Sequence, residues 1–203
     1  MGPRAAHDLA KRGSKWLREL GLEGELTEWE HRVLTANPGE LDEDDLINAS
    51  WLSEAVTVLA WALGRLPLPD FDEPCAPADA ANSLGFLARK GSTVLHEPHL
   101  RPPAELQEYN EFLYQIHWRI RHFESGGRRY DFESLARKAW GEPILRHGLR
   151  LADRDLVLGG VPMEQAKEHE RNSLASITQE RHRASNWLAG YGSTSFHDVT
   201  TDT

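Results

Sequence analysis

The sequence predicts a mainly α fold, a single-domain bundle of about seven helices carrying one small β-hairpin near residues 149–161. Three observations predict it. Apolar residues recur at three- and four-residue spacing through most of the chain, Gly and Pro punctuate those stretches, and only one short segment alternates as a strand does. At 203 residues the chain reads as one globular domain, 1–203, long enough to bury about 70% of the surface its unfolded form exposes.

Leu9, Trp16, Leu17 and Leu20 keep helical spacing, and Gly21 stops that first helix. A short second helix is expected over 27–36, with Trp29, Val33 and Leu34 inward and Asn37-Pro38-Gly39 ending it. The third differs. Asp42, Glu43, Asp44 and Asp45 put negative charge where a helix N-terminus favours it, and Gly64 stands at the expected C-cap. Between 46 and 64 the one charged residue is Glu54, and apolar residues occupy both sides, so this segment is read as a buried central helix. Asn48, Ser50, Ser53, Glu54 and Thr57 argue against a membrane span.

Pro67, Pro69, Pro74 and Pro77 mark a surface connection before a fourth helix, expected over 77–90 with Leu84 and Leu87 inward. The loop 96–103 leads into a long helix that Pro103 opens, with Leu106, Tyr109, Leu113, Ile116, His117, Ile120 and Phe123 on one face. A shorter helix is expected over 131–140. The hairpin follows, with Asp153-Arg154-Asp155 turning and Gly159-Gly160 ending it, and two strands alone must pack on helices to persist. Pro162 is expected to open the last helix, which runs to about Ala189. Met163, Ala166, Leu174, Ile177, Ala184, Trp187 and Leu188 mark its buried face.

Acidic residues outnumber basic ones, 32 to 23, and no block of Lys and Arg is present, so a nucleic-acid partner is not expected. Cys75 is the single cysteine, which excludes an intrachain disulfide. Arg4, His7 and Asp8 interrupt the first residues, so no signal peptide is read there, and the expected compartment is the cytoplasm.

Glu54 carries the most information. A carboxylate among tryptophan and aliphatic side chains either stays protonated or finds a cation, because an unpaired interior ion costs several kcal/mol. Arg181 is the first choice of partner, four residues after Ile177 and three before Ala184, at the border of the last helix's apolar face. Arg183 and His117 remain alternatives. His96 and His99 form an H-x-x-H pair that is a weak candidate for metal, since it sits in a Pro-flanked loop without helical i, i+4 geometry; no metal or other cofactor is expected. Cys75 lies among acids that blunt a thiolate. No G-x-S-x-G elbow, P-loop or G-x-G-x-x-G fingerprint is present. Trp118, on the side of its helix away from the apolar stripe, is expected to be partly exposed and available to a partner.

Several stretches recur together: E-A-x-x-x-L-x-W-A-L-G over 54–64, His117-Trp118, Asp155-Leu156 with Gly160-Val161-Pro162, E-R-x-R-A-x-N-W-L over 180–188, and T-D-T over 201–203. With these the chain, over about 46–203, resembles a bacterial family known as a domain of unknown function, number four-two-seven-two. It departs from that pattern at Ser185, where Leu is usual, and at Phe196-His197, where Trp-Asp is usual. The resemblance implies no activity. It does imply that Glu54, Arg181, Asn186 and Asp202 form one polar cluster, since all four fall in matched motifs.

The expected function is a non-enzymatic protein-interaction or accessory domain that meets another protein through an acidic surface. The alternative is a hydrolase or small-ligand-binding protein built around Glu54, His117 and Arg181. A homodimer is left as open as a monomer.

Overall fold

The computed structural model describes residues 3–37, 39–88, 98–127, 130–192 and 195–201. Among them are seven α-helices and one three-stranded antiparallel sheet. No helix of the described residues is long and apolar enough to cross a membrane.

Local signals set most of the boundaries. Helix α1 (Pro3–Leu20) stops ahead of Gly21, whose φ of +70° suits glycine. Helix α2 (Glu28–Thr35) starts in a capping box: Thr27 accepts the Glu30 N–H, while Glu30 accepts the Thr27 N–H at 2.8 Å. Helix α3 (Glu43–Ala62) is capped by Asp42, whose carboxylate accepts the Asp45 N–H at 2.8 Å. Helix α4 is Pro77–Ser83, shorter than the 77–90 expected. The chain turns after it, with Gly85 at φ +71° and Leu87 at φ +62°, conformations that no α-helix contains. Pro102 and Pro103 open α5 (Pro103–Glu124), and Asp131 caps α6 (Phe132–Trp140).

The expected hairpin has a third strand. Strand β1 (Leu151–Ala152) pairs with β2 (Asp155–Leu158), which pairs in turn with β3 (Val161–Pro162). Each link is two residues long, Asp153-Arg154 and Gly159-Gly160, and all four residues have positive φ, the sign pattern of type I′ hairpin turns. Pro162 therefore ends a sheet edge, where a missing N–H is tolerated, and does not open the last helix. That helix, α7 (Glu168–Leu188), begins six residues later. Met163 and Ala166, expected on its buried face, are buried in the intervening turn.

Helix α7 lies against both α3 and α5, so it is the element the other two long helices share. Helix α3 is buried from Glu54 onward through Ala55, Thr57, Val58, Ala60, Trp61 and Ala62. Its first turns are not: Leu46 is 56% exposed and Ile47 45%. The sheet closes the far end of α5. Leu156 and Leu158 enter the core, and the Glu133 N–H of α6 donates to the Arg154 carbonyl at 3.1 Å. Trp118 is half-buried in an aromatic cluster, stacked on His122 at 5.1 Å and set against Tyr130 and Trp140.

Candidate functional site

Glu54 faces α7 from the middle of α3, and Arg181 answers it. The Glu54 Oε2 accepts from Arg181 Nε and Nη2, both at 2.9 Å, and both side chains are almost wholly buried. The remaining polar atoms are used as well. Glu54 Oε1 accepts the Cys75 N–H at 2.8 Å, Arg181 Nη1 donates to the Asp70 carbonyl at 3.0 Å, and Nη2 donates to the Glu73 carbonyl at 2.6 Å. One ion pair thus fastens the connection after α3 to two helices. The Tyr109 phenol lies beside Arg181, and burial raises its pKa well above the usual tyrosine range. With every guanidinium nitrogen and both carboxylate oxygens engaged by the protein, this node ties α3, α7 and the connection after α3 together.

His117 does not join that node. It meets His182 of α7, Nδ1 to Nδ1 at 2.9 Å, so one ring donates the proton and the other accepts it. Burial lowers the His117 pKa from 6.5 to about 4, with Arg121 adding to the shift. Burial does the same for His182, also to about 4, with His117 as the second cause. Both imidazoles are neutral near pH 7.

A polar chain leads from this pair to the C-terminal tail. Ser185 Oγ donates to the His182 carbonyl at 3.0 Å and accepts from Asn110 Nδ2 at 3.0 Å. Asn110 Nδ2 also reaches Asn186 Oδ1 at 2.7 Å, and Asn186 Nδ2 donates to the Thr200 carbonyl at 3.0 Å. Above it opens a cleft of about 440 Å³ between α5 and α7, lined by Asn110, Tyr114, His182, Asn186 and Tyr191. Asn186 therefore belongs with the histidines and not with Glu54.

Asp202 and His96 lie outside the described residues. His99 is exposed ahead of α5. Among the described residues no group of three or more His, Cys, Asp or Glu side chains is placed to hold a metal. Arg183, the other alternative for Glu54, pairs with Glu180 at 3.2 Å.

Two buried partners lay outside the sequence reading. Arg119, fully buried on α5, makes a two-pronged pair with Asp155 of β2: Nε to Oδ1 and Nη2 to Oδ2, each 2.7 Å. A signal existed, because position 119 falls three residues after Ile116 and four before Phe123, on the stripe's border. His182 is the other. Its burial follows from α7 being covered on two sides, which a single-face reading of that helix does not contain.

Residues 4–132 match the family model described as Domain of unknown function (DUF4272). This span and the resemblance drawn above over 46–203 overlap on 46–132, so Glu54 and His117 fall within the match while Arg181, His182 and Asn186 lie beyond it. No curated protein and no solved structure shows significant similarity to the chain. Matched over well more than half of its length, the chain belongs to the DUF4272 family, a domain of unknown function.

Proposed function

We propose that this chain is a non-enzymatic protein-interaction domain that receives a basic partner at the end of the bundle made by α2 and the first turns of α3. The observation that carries it is the exposure of Leu46 and Ile47 in the first turns of α3, directly after the acidic run Asp42 to Asp45. Nine acidic residues against one arginine fall between 23 and 45. Of these Glu23, Glu25, Glu28, Glu40, Asp42, Glu43 and Asp44 are exposed, whereas Asp45 is buried and bound by Arg32 and the Trp29 indole N–H. Apolar contacts supply affinity, and a one-sign rim steers an oppositely charged partner onto them and speeds association.

The polar centres support a non-catalytic reading. Ser185 gives its proton to a carbonyl and not to an imidazole, so it forms no nucleophile–base pair with His182. Glu54 and Arg181 are consumed by each other and by the connection after α3. A second reading, a small neutral polar ligand in the α5–α7 cleft, is favoured by the neutral His182 and the carboxamides of Asn110 and Asn186 lining that space.

Paired affinity capture tests the first reading, with the wild-type chain and a Leu46→Asp/Ile47→Asp variant as baits in extract of the native host. The expected result is a basic protein held by the wild type, released as salt rises and lost from the variant. An acidic partner, a partner held equally by both baits, or no partner at all contradicts it.

A further inference from the structure

The cleft between α5 and α7 has Tyr114 and Tyr191 in its walls and, beneath them, Asn110 and His182, which are 5% and 1% exposed. Each of these two buried side chains has one polar atom held by the protein and one left over. Two backbone carbonyls orient Asn110. The Thr200 carbonyl must accept, so Asn186 turns its Nδ2 there and its Oδ1 toward Asn110. The His182 carbonyl takes the Ser185 proton, which leaves Ser185 Oγ as an acceptor as well. Both acceptors call for the amide nitrogen of Asn110, so its Oδ1 is the atom presented elsewhere. His182 likewise commits Nδ1 to His117 and keeps Nε2. Neither Asn110 Oδ1 nor His182 Nε2 has a hydrogen-bond partner among the described residues, and neither is sealed from solvent as Thr178 Oγ1 is, so both open on the cleft that their side chains line.

Asn110 Oδ1 can only accept. The role of His182 Nε2 follows the shared proton: when His117 Nδ1–H donates, His182 carries its own hydrogen on Nε2 and donates into the cleft. Both rings are neutral near pH 7, so this acceptor and donor carry no charge. The one carboxylate of the lining, Glu111, is exposed and already accepts from Gln107 Nε2 at 3.2 Å.

We propose that the α5–α7 cleft binds a planar ring with a lactam edge, its N–H donating to Asn110 Oδ1, its C=O accepting from His182 Nε2 and its face against the tyrosines. This rests on the second reading above, a small neutral polar ligand, and names its class. An acceptor and a donor held by buried networks, with Ser185 bonded to both residues, match the rigid N–H and C=O of such an edge, whereas a hydroxyl rotates to suit any partner. Tyr114 and Tyr191 supply the flat apolar faces that a planar ring covers.

The test titrates the ¹⁵N-labelled full chain with 2-pyridone and follows the His182 ring nitrogens and the Asn110 side-chain amide. Saturable shifts in the millimolar range are expected, with the His182 ring held in its Nε2–H form. Binding is expected to weaken about tenfold in Asn110→Leu, and as much in the wild type when N-methyl-2-pyridone, which keeps ring and carbonyl but lacks the N–H, replaces the probe. The N-methyl arm needs no variant, so it decides the matter even if Asn110→Leu folds poorly. Equal binding of N-methyl-2-pyridone, a bound His182 in its Nδ1–H form, or an unchanged Asn110→Leu overturns the proposal. The class and the cleft reading fail separately. Shifts of the same signals by myo-inositol but not by 2-pyridone remove the lactam edge alone, and no shift with either probe removes the neutral-ligand reading along with it.

Discussion

Arg181 and Glu54, 127 residues apart in the chain, meet at 2.9 Å in a site closed to water. Removing one partner leaves the other charged and uncompensated, a loss of ~3–5 kcal/mol. Arg181→Met is therefore expected to lower the urea midpoint by that equivalent and to loosen the connection after α3, whose Asp70 and Glu73 carbonyls lose their donors. An Arg181→Met chain that melts within ~1 kcal/mol of the wild type would mean that the pair is not the tie described.

The pair of Arg119 and Asp155 is equally enclosed, with 0% and 6% side-chain exposure. Asp155→Ala is expected to cost ~3–5 kcal/mol in the same assay, since it strands a buried guanidinium and frees the sheet from α5. The exposed pair of Lys15 and Glu19, at 74% and 61%, is the control. Glu19→Gln should leave the midpoint where it was, because solvent screens such a pair. Equal effects of the two substitutions would refute the distinction.

The histidine pair sets a pH dependence. His117 and His182 bind a proton at about pH 4 in the folded chain against 6.5 ordinarily, so between those values the unfolded chain holds more protons. Stability is then full above about pH 6.5 and falls as the pH drops toward 4. Burial lowers the His147 pKa as well, which adds to the same slope. Thermal melts of the wild type and of His117→Gln/His182→Gln across pH 4–7 check this. The double variant should show the flatter curve, and identical slopes would show that the two rings titrate normally.

Gly148 tests the connection after α3 from its other side. Its φ is +75°, and a Cβ there would stand 2.4 Å from Asp70 Cγ. Gly148→Ala is expected to cost ~1–3 kcal/mol through backbone strain and that contact, read as a lower melting temperature. An unchanged melt would show that Asp70 moves aside freely.

Where spacing and punctuation act locally, the fold was legible in the sequence. Asp42, Gly64, Pro103 and Asp131 bound their helices close to where the residues alone place them. Pro162 misleads because a proline fits both a helix start and a sheet edge, and only the pairing with Val157 decides between them. Glu54 points to a buried cation, since physical chemistry requires an answer to an enclosed carboxylate. Shared motifs group Asn186 with that pair, but it stands on a different side of α7 from Arg181, a separation that motif membership does not encode. His182 and Arg119 needed knowledge of what covers each side of α7 and α5. Leu46 and Ile47 read as core by composition and are exposed because α2 leaves the first turn of α3 uncovered, a matter of tertiary placement.

Hydrogen exchange on the captured complex tests the central claim most directly. Protection confined to residues 27–52, with the α5–α7 cleft exchanging as in the free chain, is the expected result. Protection over Asn110, Tyr114 and 186–192, with the first turns of α3 unchanged, would contradict the proposed docking end and move the function to the histidine-lined cleft.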